Sequence, residues 1–343
     1  MMGTRIPSPE VLDDLLSEPT PPVVAAMRRA GGDLVVLGAG GKMGPTLARM
    51  ARRAVELAGT SRLVTAVSRF STPPVREQLE RDGVRTVACD LLDRRAAAAL
   101  PDAADVIYMA GMKFGASSRP ALTWAENCLV PAAVCERYAH SRIAAFSTGN
   151  VYGLVPAGQG GSTERDEPAP AGEYAMSCLG RERVFEYFSE HSGTPVTLLR
   201  LNYACELRYG VLADIARRVH AGEPVDLTMG YLNAIWQGDA NAMALCAVEH
   251  AASPPLALNI AGLEELPVRA IAGAFGERFG RQVRFTGREA VDALLSNGRQ
   301  AAQLLGPPRV SVDQMIDWIA DWVARGGAAL GKPTHFEVRD GRF

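Results

Sequence analysis

Residues 33–44, DLVVLGAGGKMG, constrain this chain more than any other stretch. An apolar run of strand length breaks into a glycine turn, and a helical pattern, PTLARMARRAVELAG, begins directly after it. Gly38, Gly41 and Gly44 fit GxxGxxG, in which the early glycines permit a tight turn and close approach to a pyrophosphate, and the last lets helix and strand pack closely. The anion would rest on the helix N-terminus, with Lys42 and Met43 inside the loop, because unpaired amides and the helix dipole favour negative charge there. Strand, turn and helix in this order predict a dinucleotide-binding unit.

The same alternation repeats along the first half. RLVTAV, VRTVACD, DVIYMAG, RIAAFST and VTLLRLN read as strands, separated by PVREQLERDG, RPALTWAENCLVPAAVCERYAH and the stretch from Tyr174 to His191, each long enough to cross back over a sheet. The expected class is α/β: a Rossmann doubly wound parallel sheet with a smaller mixed α/β C-terminal substrate lobe. Past about residue 203 the alternation loosens into short strands and helices. The expected division is an N-terminal extension 1–32, a Rossmann domain 33–202 plus about 234–250, a substrate lobe of about 203–233 and 251–326, and a tail 327–343. Neither the extension nor the tail shows a role. Gly- and Pro-rich GLVPAGQGG and DEPAPAGE read as a loop before Tyr174.

A formal net charge of −2 with no long block of like charge gives neither the basic excess of a nucleic-acid binder nor a polybasic membrane patch. No apolar run approaches the roughly 20 residues that cross a bilayer, and the start lacks a signal pattern, so a cytoplasmic protein with a small-molecule substrate is expected. Six scattered cysteines without a CxxC pair, and five histidines that never cluster, suggest reduced thiols and no metal site. Of 36 cationic residues only Lys42, Lys113 and Lys332 are lysines.

The second strand ends at Ser68 and Arg69, where an NAD-selective protein would offer an acid to the ribose hydroxyls. Hydroxyl and guanidinium both donate to a 2′-phosphate, and Lys42 is expected to add a cation nearby, so NADP is favoured and NAD remains possible.

Later motifs, CDLLD, MAGMK, FSTGNVYG, LRLN, GDAN and LNIAG, make the chain resemble the extended short-chain dehydrogenase/reductase family, in its NAD(P)-dependent epimerase/dehydratase branch, from about residue 34 to 323. The resemblance implies that Asp90 and Leu91 bracket the adenine and that Ala110, Lys113 and Asn127 face the cofactor. It places the catalytic hydroxyl at Thr148, four residues before the tyrosine of VYG. Asn150, Asn202 and Arg208, with Thr148, would meet the substrate, and helices near 119–139 and 174–191 would form a homodimer face.

One position departs from that family. EYAMSCLGRE carries Tyr174, but the lysine that should follow four residues later is Cys178. A tyrosine hydroxyl can move the proton that accompanies hydride transfer, yet a free tyrosine has a pKa of about 10 and is almost wholly protonated at neutral pH. A lysine would lower that pKa; a thiol cannot, and a thiolate would repel the tyrosinate. The expected function is therefore an NAD(P)-dependent oxidoreductase or epimerase acting on a hydroxyl or ketone of a sugar or sugar-derived substrate, with Thr148, Tyr174 and Cys178 as an atypical catalytic set. Two alternatives stand: a catalytically weakened NADP-binding regulatory or sensor protein, and a sugar dehydratase, against which Gly149 and Asn150 count because acids are expected there.

Overall fold

The structure, a computed structural model, describes residues 5–71, 73–113, 115–332 and 334–341. Its centre is a seven-stranded parallel sheet: β1 (Leu34–Leu37), β2 (Val64–Ser68), β3 (Arg85–Ala88), β4 (Asp105–Tyr108), β5 (Arg142–Thr148), β6 (Val196–Leu201) and β7 (Leu256–Ile260). The order is β7-β6-β5-β4-β1-β2-β3. Strand order reverses between β4 and β1, which opens a crevice outside their carboxyl ends, the place where such sheets bind ligands. β1 and β4 are buried at every residue, as continuous apolar runs require when helices cover both faces.

Two helices precede the sheet. Ser8 and Thr20 cap α1 (Pro9–Leu16) and α2 (Pro21–Arg29), each with proline in its first turn. α2 packs on α3 (Gly44–Ala58), while Leu12 and Leu16 of α1 join the core of the second lobe. The extension, for which the sequence suggested no role, thus ties both halves together. Crossovers α4 (Pro73–Arg81) and α5 (Arg94–Ala98) follow, then α6 (Pro120–Trp124) and α7 (Val130–Arg137), joined by a π-helical turn Ala125–Leu129. α8 (Gly172–Ser192) is the longest helix and packs on α7 and β5.

The second lobe is built on α9 (Val211–Ala221), α11 (Val268–Phe279) and α13 (Val312–Ala324), around the tryptophans Trp236, Trp318 and Trp322. α10 (Gln237–Ala247) and α12 (Arg299–Leu305) return to the sheet side. One expectation needs correction. The segment from 251 was expected in the substrate lobe, but β7 pairs in parallel with β6 over five residues and extends the main sheet. A strand's partner is not written in its own sequence, and LALNI looks alike in either setting. The tail also acquires a place: Thr334 binds Asp214 through its N–H (2.8 Å) and hydroxyl (2.7 Å), Phe336 is buried, and Gly341 lies against Gly172 at the head of α8. No described helix is long and apolar enough to cross a membrane.

Candidate active site

The glycine loop is shaped from inside and open outside. Gly38 has φ +85°, and a Cβ there would stand 2.5 Å from the Ala110 amide nitrogen at the end of β4; on Gly44 it would stand 2.4 Å from the Ala39 carbonyl oxygen. On Gly41 the nearest atom would be the Gly38 carbonyl oxygen, 3.4 Å away. Protein packing therefore requires glycine at 38 and 44, while at 41 the fold itself leaves room. Met43 precedes α3 without a side-chain cap, which leaves the helix N-terminus available to an anion. These features fit a dinucleotide pyrophosphate.

At the adenosine end, Gly40 allows close approach of Ser68, whose Oγ would be 2.5 Å from a Cβ at that glycine. Arg69 is exposed and donates through Nη1 to Glu126 at 3.2 Å. Asp90 Oδ1 accepts from the Leu92 N–H (3.0 Å), shaping the turn after β3, and Leu91 is buried. Lys42 does not stand beside Arg69 as expected. It turns toward the second lobe, with Nζ 3.0 Å from the centre of the Tyr209 ring, whose face attracts a cation.

Thr148 ends β5, and its Oγ1 accepts from the Asn150 N–H (3.2 Å) while donating to Asn150 Oδ1 (3.1 Å). α8 brings the Tyr174 hydroxyl within hydrogen-bonding reach of both Thr148 and Cys178. Burial first, and the Cys178 sulfur next, hold that hydroxyl well above the ordinary tyrosine range, against the opposing pull of Arg181 and Thr148. Burial likewise pushes the Cys178 thiol up. Cys178 is fully buried beside Val151 and Tyr152, as a neutral thiol would be.

Two cations flank this group from other directions. Lys113 Nζ lies 5.6 Å from the centre of the Tyr174 ring, and burial lowers its pKa. Arg181 is only 6% exposed and donates to the Phe146 carbonyl (2.8 Å) and to Asn127 Oδ1. One helical turn past Cys178, it faces the sheet because α8 packs that side on β5. Asn127 is wholly buried; it also accepts from the Met112 N–H (3.0 Å) and donates to Ser177 Oγ (2.8 Å). Its contacts are thus with the loop after β4 and with α8, at the π-helical turn that re-aims it. Phe114 of that loop lies outside the described residues.

A cavity of about 170 Å³ opens beside Tyr174, lined by Lys42, Lys113, Thr148, Asn202, Tyr209 and Thr334 among others. Asn150 is also in its wall. Asn202 is 2% exposed, and its Nδ2 has no hydrogen-bond partner. Arg208, expected at the substrate, is not in that lining. It donates to Glu206 Oε2 (3.0 Å) and Asp13 Oδ1 (2.8 Å), because a carboxylate as buried as Glu206 needs a cation.

Sequence reading missed a second buried cluster. Arg200 of β6 donates bidentately to Glu182 of α8 (2.7 and 3.1 Å) and to the Tyr152 hydroxyl (2.7 Å), which donates to Asn259 Oδ1 (2.8 Å); Ser147 Oγ also reaches Glu182. This network fixes α8 against β5, and so the tyrosine against the threonine. Its signal was present: an arginine interrupts the apolar strand VTLLRL. All six cysteines are free, five of them buried, and no group of metal-ligating side chains occurs among the described residues.

Comparison with known proteins agrees with this fold. UDP-glucose 4-epimerase from Thermotoga maritima, solved with UDP-glucose, superposes with a TM-score of 0.71 at 19% identity, covering 86% of this chain and 99% of that one. A UDP-glucuronic acid 4-epimerase variant from Bacillus cereus, solved with a fluorinated UDP-glucuronic acid and NAD, gives 0.72 at 16% identity, with 85% and 99% covered. The Mth375 epimerase from Methanothermobacter thermautotrophicus gives 0.72 at 18% identity, with 90% and 97% covered. At such identities these likenesses show the fold alone. No curated protein matches the sequence. The profile of the NAD dependent epimerase/dehydratase family matches residues 34–261, two thirds of the sequence and the whole sheet, and the chain belongs to that family.

Proposed function

We propose that this protein is an NAD(P)-dependent oxidoreductase or epimerase acting on a hydroxyl or ketone of a sugar or sugar-derived substrate. The observation that carries the reading is the Tyr174 hydroxyl in reach of Thr148, at the wall of a cavity that also touches the glycine loop. With its pyrophosphate on that loop, a dinucleotide would supply or accept the hydride through its nicotinamide. Tyr174 gives or takes the proton at the substrate oxygen, and Thr148 holds that oxygen by hydrogen bond. Gly38, Gly41, Met43 and Gly44 receive the pyrophosphate, Asp90 and Leu91 the adenine, and Ala110, which only a glycine at 38 can approach so closely, faces the cofactor. Ser68 and Arg69 favour NADP over NAD; Glu126 steadies the guanidinium from one side.

Cys178 cannot supply the charge that a lysine would, so Lys113 and Arg181 take over that part. The tyrosine starts protonated, which suits proton donation to a carbonyl and slows proton removal from an alcohol. Carbonyl reduction is therefore the faster direction at neutral pH. The protein acts as a homodimer through α6, the π-helical turn after it, α7 and α8, along which Trp124, Leu129, Met176 and Tyr187 are exposed.

A second reading, a dinucleotide-binding sensor, is favoured by one observation: burial and Cys178 together keep Tyr174 protonated. The two separate by experiment. Purified protein is mixed with NADPH or NADH and a panel of sugar ketones, and UDP-linked sugars with NAD(P)⁺, while nicotinamide absorbance reports net redox turnover and chromatography of the sugars reports epimerisation, which leaves absorbance unchanged. Turnover supports the enzyme, saturable binding without turnover of any panel member supports the sensor, and no dinucleotide binding defeats both.

A further inference from the structure

Two of the three lysines of this arginine-rich chain line one cavity, and the charge of the third acts on one of them. Lys42 comes from the glycine loop and Lys113 from the loop after β4, and both line the cavity beside Tyr174. Lys332 lies in the tail, two residues before Thr334, which closes the same cavity, and its charge acts on Lys42. The three positions are far apart in sequence and belong to separate segments, so their meeting is a product of the fold.

The lysines divide the cavity. Lys113 stands over Tyr174, whereas Lys42 reaches across to Tyr209 of the second lobe, away from the crevice between β1 and β4 where a dinucleotide would lie. The carboxylates facing Lys42 are Glu206 and Asp214. Glu206 is held by Arg208, and Asp214 by Thr334 and Arg217. Beside them Asn202, 2% exposed, lines the cavity with an Nδ2 that has no hydrogen-bond partner, an expense that a ligand acceptor would remove.

We propose that the end of the cavity bounded by Lys42, Asn202, Tyr209 and Thr334 is an oxyanion subsite that receives a carboxylate or phosphate group of the substrate. This deepens the proposed function and rests on its reading of the cavity as the substrate pocket. An ammonium is compact and accepts a desolvated site that an arginine fork would overfill. Burial first, then the charges of Lys113 and Lys332, bring the Lys42 pKa down to about 7, so an incoming anion restores its charge on binding. Asp214 and Glu206 oppose that shift, and Tyr209, whose pKa burial raises, meets Lys42 as a neutral ring.

The test is calorimetric titration of the full chain, saturated with its preferred dinucleotide, with glucose, glucuronate and glucose 6-phosphate as probes. At least one anion should bind about tenfold more tightly than glucose, or 1.4 kcal/mol. Lys42→Met should abolish that preference while leaving dinucleotide affinity within about threefold of the parent, a difference under 1 kcal/mol. Parental anion affinity should fall between about pH 6 and about pH 8, and the variant should be flat across that range. Lys332→Met, at an exposed position, should weaken the anion about threefold, as partly screened charges do, and serves if Lys42→Met fails to fold. Glucose binding as tightly as both anions, or a preference that survives Lys42→Met, overturns the subsite. So does a loss of dinucleotide affinity that exceeds the loss of anion affinity, which would assign Lys42 to the cofactor. Failure of the parent to bind any dinucleotide would instead overturn the proposed function.

Discussion

Replacing Cys178 by lysine asks what the missing charge does to Tyr174. The sulfur is within hydrogen-bonding reach of the hydroxyl, so a lysine ammonium there would stand roughly 4 to 6 Å from a tyrosinate oxygen. At an effective dielectric near 20, that attraction is about 3 to 4 kcal/mol, or between two and three pKa units. Lys113 and Arg181 already occupy the neighbourhood, and their repulsion takes back part of the gain. A net fall of about one to two units in the Tyr174 pKa is expected, which raises alcohol oxidation at neutral pH by about ten- to a hundredfold. Carbonyl reduction should rise by a matching factor in kcat/KM, because the reaction's equilibrium constant is fixed and a more acidic tyrosine is the better proton donor. The assay is initial rates of nicotinamide absorbance in both directions across a pH series. Position 178 is fully buried, and the longer side chain costs about 1 to 3 kcal/mol of overpacking, visible as a lower Tm. The double variant Cys178→Lys/Lys113→Met removes the nearest like charge and should oxidise faster than Cys178→Lys alone. Unchanged oxidation in a folded variant, or oxidation that rises while reduction falls, refutes the reasoning.

Three further outcomes are expected. NADPH should bind more tightly than NADH, and Arg69→Asp should erase or reverse that preference by about tenfold or more in the Kd ratio, measured by fluorescence titration; equal parental affinities contradict it. Gly41→Val should abolish binding of both dinucleotides with little loss of thermal stability, since a Cβ there meets no atom nearer than 3.4 Å, whereas Gly44→Val should also unfold the loop against Ala39. Light scattering at micromolar concentration should report a dimer, and Trp124→Asp with Leu129→Asp should return a monomer; a monomeric parent contradicts the dimer face.

Fold and site were legible to different depths. Parallel strands buried on both faces must be apolar throughout, so β1, β2, β4, β5 and β6 stood out in the sequence, and the glycine turn identified the first of them. Which strand pairs with which is a long-range matter, and β7 was misassigned for that reason. Ser8-Pro9 and Thr20-Pro21 announced two helices that went unread, because a capped helix shows no purpose until its partner is known. At the site, the family resemblance put Thr148, Tyr174 and Cys178 into one group, and the fold brings the three within reach of one another. Side-chain direction did not follow from position. Lys42 turned to Tyr209, Arg208 to Glu206 and Asp13, and Arg181 into the protein, each drawn by an aromatic face, carboxylate or carbonyl contributed from elsewhere.

The central claim is that Tyr174 moves the substrate proton, and one comparison tests it most directly. Parent and Tyr174→Phe are brought to equal saturation with reduced dinucleotide, and single-turnover reduction of the best sugar ketone from the panel is followed by nicotinamide absorbance. The hydroxyl contributes general-acid catalysis of about a hundred- to ten-thousandfold, so the variant should lose at least two orders of magnitude while its dinucleotide affinity stays within about threefold. Turnover by the variant at the parental rate would contradict the account.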